Sequence, residues 1–357
     1  LTFYVYLNKD EEAAFHLVEF ASKLETIIEQ SIMNASLIVR NIQSAKNFLG
    51  LYRYAKAIGK IIDASMDIAY ISITDHNPNE EVVKGLFSLS DEIVVKIKAN
   101  KKIEEEISKL QDRYPVDIIA LIRNNVLQIF PLGKIEENDT LYIRGPLSFV
   151  NNLLEEYGYE KFEKFEINEN LKKILSKIVY LRDSIKVLLE LAYFVILTPN
   201  EEIMNNIDEM EMMLDAYNLE LMEEIVKIPP TKDNITNLSL LWLISKLEEI
   251  SDAAEEIAMI TITDPEIRDM FKDVYEAIGE KTLIIKAKNK ISIQELSKGL
   301  KNFGSYIPAF KKDNNWILQT RLSIRDVEIS ENDYLILTYP IEFEEEVLKY
   351  LEKIKLI

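Results

Sequence analysis

Three carboxylates spaced four residues apart, Glu248, Asp252 and Glu256, are the side chains whose types and spacing come nearest to a metal site. On a helix that spacing stacks them along one stripe. Oxygen donors so placed suit a hard or transition divalent cation. Asp63 and Asp67 make a shorter stripe of the same kind, and Glu211 with Asp215 another. A solvated helix face produces the same spacing. Glu12 and His16, also four apart, offer only two ligands, too few for a strong site. Met210, Met212, Met213 and Leu214, in the acidic run around Asp208, read as packing rather than as cofactor ligands.

Other chemistries are excluded by what the chain lacks. It has no cysteine and two histidines, His16 and His76, so thiolate, zinc–sulfur and Ser-His-Asp or Cys-His sites have no material. Nine glycines include no GxGxxG or Walker pattern, which removes the usual phosphate-cradling loops. Enzymatic function is therefore not expected. The formal net charge of −19 repels phosphate backbones and anionic lipid heads, and no nucleic-acid partner and no direct membrane insertion are expected. The longest apolar stretch, Leu188 to Leu197, is interrupted by Glu190 and falls far short of the roughly 20 residues a bilayer needs. With no basic leader pattern, the expected location is cytoplasmic. The sequence starts at Leu1 rather than Met, which leaves open that upstream residues complete the first helical domain.

The organising feature is an internal repeat. Leu51 to Ile71 lies over Leu240 to Ile260 without a gap, 189 positions on, with Asp63, Ala64, Ile68, Ala69 and Ile71 meeting Asp252, Ala253, Ile257, Ala258 and Ile260. Ile73-Thr74-Asp75 then meets Ile262-Thr263-Asp264, Val94-Val95-Lys96 meets Ile284-Ile285-Lys286, and Glu137-Asn138-Asp139 meets Glu331-Asn332-Asp333. Each copy reads as helices followed by a small α/β region. In the first, apolar residues at helical spacing run over 11–47 and again over 50–72, and a short helix is predicted near 79–90. Strands are predicted at Ile93 to Lys98, Val116 to Ile122 and Val126 to Pro131, the last two joined by an Asn124-Asn125 turn. Ile103 to Leu110 reads as a short helix. After a turn at Glu137-Asn138-Asp139 come a strand, Leu141 to Arg144, and a closing helix, Leu147 to Tyr157. The second copy repeats the pattern, with a break at Pro229-Pro230-Thr231 between its helices.

The run Val116 to Arg123, the turn, Ile129-Phe130-Pro131 and Asn138 to Ile143 resemble the C-terminal domain of RCK/TrkA-type potassium-transport regulators. Asn138 stands where that family has Gly, and Asn tolerates positive φ. In the second copy Lys311-Lys312 replaces Ile122-Arg123. The helical portion resembles PhoU, the phosphate-signalling bundle protein, through Leu247 to Asp252 and Glu256-Ile257-Ala258, with Ile58 to Asp63 and Asp67-Ile68-Ala69 in the first copy.

These resemblances imply an α+β fold of two tandem repeats, each a PhoU-like helical bundle followed by an RCK C-terminal-type α/β domain. The expected boundaries are 1–72, 73–165, 166–262 and 263–357. They imply a regulator that senses a small ligand and controls potassium or other cation transport, partnered by a membrane channel or transporter subunit. The alternative is a PhoU-like phosphate-signalling adaptor binding a transporter or sensor protein. By position, the family's ligand contact region falls on Lys109, Arg113, Arg123 and Asn124, with a cyclic dinucleotide or other nucleotide as the implied ligand. Gln111 occupies a position where many cyclic-dinucleotide binders carry Arg. PhoU proteins hold metal on such acidic helices, so the resemblance assigns a divalent ion to Glu248, Asp252, Glu256, Asp63 and Asp67. Ligands of the RCK family bind between paired domains, implying a homodimer or an intramolecular pseudo-dimer.

Overall fold

A computed structural model describes residues 1–357 except 75, 115, 229–234, 264–278, 301–302, 314 and 319–326. The chain is α+β. In order come helices α1 (Thr2–Asn8), α2 (Glu11–Ser36), α3 (Ile42–Tyr70) and α4 (Glu80–Leu89), then strands β1 (Glu92–Lys98) and β2 (Ile103–Glu106). Helix α5 (Ile107–Arg113) leads into β3 (Asp117–Arg123), β4 (Val126–Ile129), β5 (Lys134–Ile135) and β6 (Thr140–Pro146), closed by α6 (Leu147–Glu156). Three long helices follow, α7 (Glu169–Leu197), α8 (Glu201–Val226) and α9 (Ile235–Thr263). The last part holds β7 (Glu280–Lys286), β8 (Ile291–Ser292), α10 (Ile293–Leu300), β9 (Tyr306–Lys312), β10 (Asn315–Leu318), β11 (Glu328–Ile329), β12 (Tyr334–Pro340) and α11 (Glu344–Lys353).

Two compact units are built from interleaved stretches of chain. The first comprises Leu1–Glu29, Gly59–Arg182 and Asp215–Ile250; the second comprises Gln30–Ile58, Asp183–Leu214 and Ser251–Ile357. Each of α2, α3, α7, α8 and α9 gives residues to both.

The sheet of the first unit has the order β1-β6-β3-β4, antiparallel throughout. Both its faces are covered, which explains the almost unbroken apolar run of β3. Ile118, Leu121, Leu141 and Ile143 point into a core shared with Ile107, Leu110, Val150, Leu153 and Leu154 of α5 and α6. Ile119, Ala120, Ile122 and Tyr142 join Val5, Ala13, Ala14, Leu17 and Ala69 on the opposite face. A bulge between Ile118 and Ala120 puts two consecutive residues on one face, as an extra residue in a pleated strand must. The β3–β4 hairpin turns through Asn124 and Asn125, at φ 51° and 62°, the pair of positive φ values that fits a two-residue turn to the twist of its strands.

The sheet of the second unit, taken by itself, has the order β10-β9-β12-β7, the same succession of strands. Its bulge falls between partners of Ile336 and Thr338, at the stretch of β9 that carries Pro308; a bulge is where a strand tolerates a residue with no N–H to give. Glu92 pairs with Pro146 and Lys98 with Thr140; Glu280 pairs with Pro340 and Lys286 with Tyr334. The Ala99 N–H donates to the Asp139 carbonyl and the Ala287 N–H to the Asp333 carbonyl, both at 2.8 Å. Asn138 and Asn332 both sit at φ 71°. The matching residues of β1 and β7 are thus 188 apart, not the 190 read from Val94-Val95-Lys96 over Ile284-Ile285-Lys286.

Other sequence expectations need correction. The helix expected over 11–47 ends at Ser36, and the next begins at Ile42. The reason is a reciprocal cap: the Ser44 N–H donates to Asn41 Oδ1 (2.8 Å), and the Asn41 N–H donates to Ser44 Oγ (3.0 Å). The helix expected over Ile103 to Leu110 starts as strand, because Ile103 pairs with Ile135. Met212 and Met213 are exposed rather than packed, whereas Leu214 is buried. The break at Pro229-Pro230-Thr231 and the repeat match at Asp75 and Asp264 lie outside the described residues.

Candidate functional site

The four residues assigned to ligand fall into two groups. Lys109 and Arg113 are one turn apart on α5, so they share a helix face. Both are exposed. The Arg113 guanidinium donates to Glu105 (2.8 Å) and the Tyr157 hydroxyl (3.0 Å), pairs with Glu156 (2.9 Å), and lies 4.9 Å from the Tyr114 ring centre. The Tyr114 hydroxyl donates to Glu156; burial, then that bond, push its pKa up to about 12. The Lys101 ammonium stands 6.0 Å from the Tyr157 ring centre. This corner joins cations to two phenol rings, a set that can stack a flat base and bind phosphate.

Arg123 and Asn124 stand at the far end of β3, a seven-residue strand about 20 Å long. The Arg123 guanidinium makes a fork to Asp139, Nε–Oδ1 at 2.9 Å and Nη2–Oδ2 at 2.6 Å, and donates to the Lys134 carbonyl at 2.8 Å. Asp139 is 2% exposed, and its Oδ2 also accepts the Glu136 N–H at 2.7 Å. Arg123 therefore closes the β5–β6 turn. Gln111 is structural as well, its Oε1 accepting the Ile118 N–H at 2.7 Å.

The acidic residues assigned to metal are spread out. In the first unit Asp63 is exposed, Asp67 pairs with Lys246 at 2.9 Å, and Glu248 accepts a hydrogen bond from Asn218 at 2.8 Å. In the second unit, carboxylate oxygens of Glu211 and Asp252 lie within 4.8 Å of each other. Glu256 is half-buried on α9. Glu12 pairs with Lys96 at 3.0 Å, and His16 is buried; among the described residues no group able to hold a metal includes His16.

Sequence reasoning missed a buried polar clasp in the first unit. Asp10, 9% exposed, precedes α2, and its Oδ1 accepts the Ala13 N–H at 3.2 Å. The same oxygen accepts the Lys96 ammonium at 2.9 Å, while Oδ2 accepts the Tyr142 hydroxyl at 3.0 Å. Lys96 and Tyr142 are direct cross-strand partners on β1 and β6. The Tyr4 ring meets the Tyr142 ring edge-on, centres 5.6 Å apart. Burial first, and Asp10 second, raise the Tyr142 pKa far above its usual 10.0. The clasp fixes the first turn of a long helix to the sheet by charge-assisted bonds. In the second unit Lys286 and Tyr334 are likewise cross-strand partners; the Lys286 ammonium lies 5.3 Å from the Tyr334 ring centre, and the Tyr334 hydroxyl donates to Glu202 in the first turn of α8.

No protein-family profile matches the chain, and no curated protein does. Among solved structures it is similar to the GsuK RCK domain (11% identity, TM-score 0.18, covering 74% of this chain and 65% of that one) and to the GsuK channel (11%, 0.18, 84% and 66%). A third, the GsuK channel bound to NAD, matches at 10% identity and TM-score 0.17, covering 83% of this chain and 65% of that one. The chain thus spans about 65% of the length of the structures it matches. At these TM-scores the likeness carries no argument about the site. No helix among the described residues is long and apolar enough to cross a membrane.

Proposed function

We propose that this chain is a non-enzymatic cytoplasmic regulator of potassium or other cation transport, in which a nucleotide bound on the α/β region biases the long helices and, through them, a membrane channel or transporter subunit. The observation that carries the reading is the clasp of Asp10, Lys96 and Tyr142. It ties the start of α2 to β1 and β6, so a ligand that shifts the sheet shifts the helix. The like strand order of the two sheets, with Asn138 and Asn332 both at φ 71°, supports a duplicated architecture of two sensor domains. The ligand contact assigned here is Lys109 and Arg113 with Tyr114 and Tyr157, where phosphate competes with Glu105 and Glu156 for the guanidinium.

A thermal-shift screen of cyclic dinucleotides, adenine nucleotides including NAD, and divalent metals tests this. A nucleotide at about a hundred times its Kd is expected to raise Tm by roughly 3–5 °C, and Arg113→Ala, at an exposed side chain, to erase the shift while leaving the unliganded Tm nearly unchanged. A screen in which no nucleotide moves Tm sinks the reading. The phosphate-signalling alternative has one observation in its favour, the approach of Glu211 and Asp252. Stabilisation by metal alone, lost in Asp252→Ala, selects it.

A further inference from the structure

In a chain of net charge −19, the stretch Gln30–Ile58 contains Arg40, Lys46, Arg53 and Lys56 and no acidic residue. All four cations are exposed, and among the described residues none is in an ion pair. The stretch that corresponds to it 189 positions on, Leu219 to Leu247, carries Glu220, Glu223, Glu224 and Asp233 against Lys227, Lys232 and Lys246. The corresponding stretch therefore lacks the cationic character of Gln30–Ile58.

Bulky apolar side chains are exposed in the same place. Leu37 is 79% exposed, Ile42 80%, Met33 58% and Leu49 48%. Along α3 the spacing of Ile42, Lys46, Leu49, Arg53 and Lys56 puts all five on one stripe, about 21 Å from end to end. Apolar and cationic groups alternate along that stripe instead of separating into an apolar centre and a charged margin. A protein interface favours the separated arrangement. At a bilayer the long cationic side chains can reach up to the phosphates while the apolar ones between them sit at the acyl boundary, and the cations complement anionic headgroups.

We propose that the α2–α3 turn and the start of α3 rest on an anionic phospholipid surface, with Arg40, Lys46, Arg53 and Lys56 against headgroup phosphates and Leu37, Ile42 and Leu49 at the acyl boundary. The long-range repulsion expected from the whole-chain charge does not prevent this. Screening limits each charge to about 8–10 Å in physiological salt, and the stretch Gln30–Ile58 itself carries no acidic residue. The proposal stands whether or not a nucleotide binds the α/β region.

Flotation of the full chain with vesicles tests it. Phosphatidylglycerol mixed with phosphatidylcholine is expected to bind at least about tenfold more protein than phosphatidylcholine alone at roughly 0.05 M salt, with most of the difference lost at about 0.5 M. Lys46→Glu with Arg53→Glu, and separately Ile42→Glu with Leu49→Glu, are expected to reduce binding to the neutral-vesicle level. Because these side chains are exposed, Tm serves as the check that each variant is folded. Equal binding to neutral and anionic vesicles, or variants that bind like the parent, overturns the proposal. So does a chain that ignores vesicles but binds an acidic amphipathic peptide, which assigns the stripe to a protein partner.

Discussion

Arg123→Ala is expected to lower the stability of the first unit by roughly 3 kcal/mol in urea denaturation, an effect near the lower end for breaking a buried ion pair because the guanidinium is partly solvated. The cause is the partner left behind. Asp139 is 2% exposed and takes two hydrogen bonds from Arg123, at 2.9 and 2.6 Å. With arginine gone, its carboxylate keeps the Glu136 N–H at 2.7 Å but has no cation. Arg123→Lys restores charge without the fork and is expected to recover about half the loss. A variant as stable as the parent would show that Asp139 reaches water when its partner is removed. Loss of ligand binding in Arg123→Ala is therefore weak evidence of contact, and Arg113 is the cleaner probe.

The second large effect is alkaline. Tyr4, Tyr6 and Tyr142 all lie in the first unit, and burial is the leading cause that raises each pKa above the ordinary 10.0. The folded state then keeps protons that the unfolded chain releases. Their contribution is complete below pH 10 and is lost as pH rises from there toward the folded-state values. An unfolded tyrosine is half ionised at about pH 10 and mostly ionised at about pH 11, so each removes about 1 kcal/mol over that unit and the three together account for roughly 3 kcal/mol between about pH 10 and pH 11. Tyr142→Phe deletes one of them. It is expected to cost about 1 kcal/mol at neutral pH through the lost hydrogen bond to Asp10, and to match or exceed the parent by about pH 11. Parallel stability curves for the two proteins above pH 10 would rule this out.

What the sequence made legible was local. The Asn124-Asn125 turn, the strand that runs to Arg123 and the closing helix at Leu147 follow from turn chemistry and period, which neighbouring residues set. Three features followed other rules. Ile103-Glu-Glu-Glu has helical propensity, yet pairing of Ile103 with Ile135 holds it extended. The α2–α3 break hides behind Leu37-Ile38-Val39, which continues an apolar pattern while Asn41 and Ser44 cap a new helix. The clasp joins Asp10 to residues 86 and 132 positions away, and no spacing rule reaches that far. Of the residues assigned to ligand, helical periodicity groups Lys109 with Arg113; only the fork from Arg123 to Asp139, between β5 and β6, reveals that Arg123 serves a turn.

The composition of the first unit also sets an order of events during synthesis. Its sheet is complete once Pro146 has been made, yet the same unit includes Asp215–Ile250. Until that later stretch leaves the ribosome, apolar surface that Leu221, Ile225, Leu240, Leu243 and Ile244 help to bury has no cover from them. At about 5–20 residues per second the interval lasts several seconds, during which the nascent amino-terminal part depends on chaperones or on its own partial packing to avoid association.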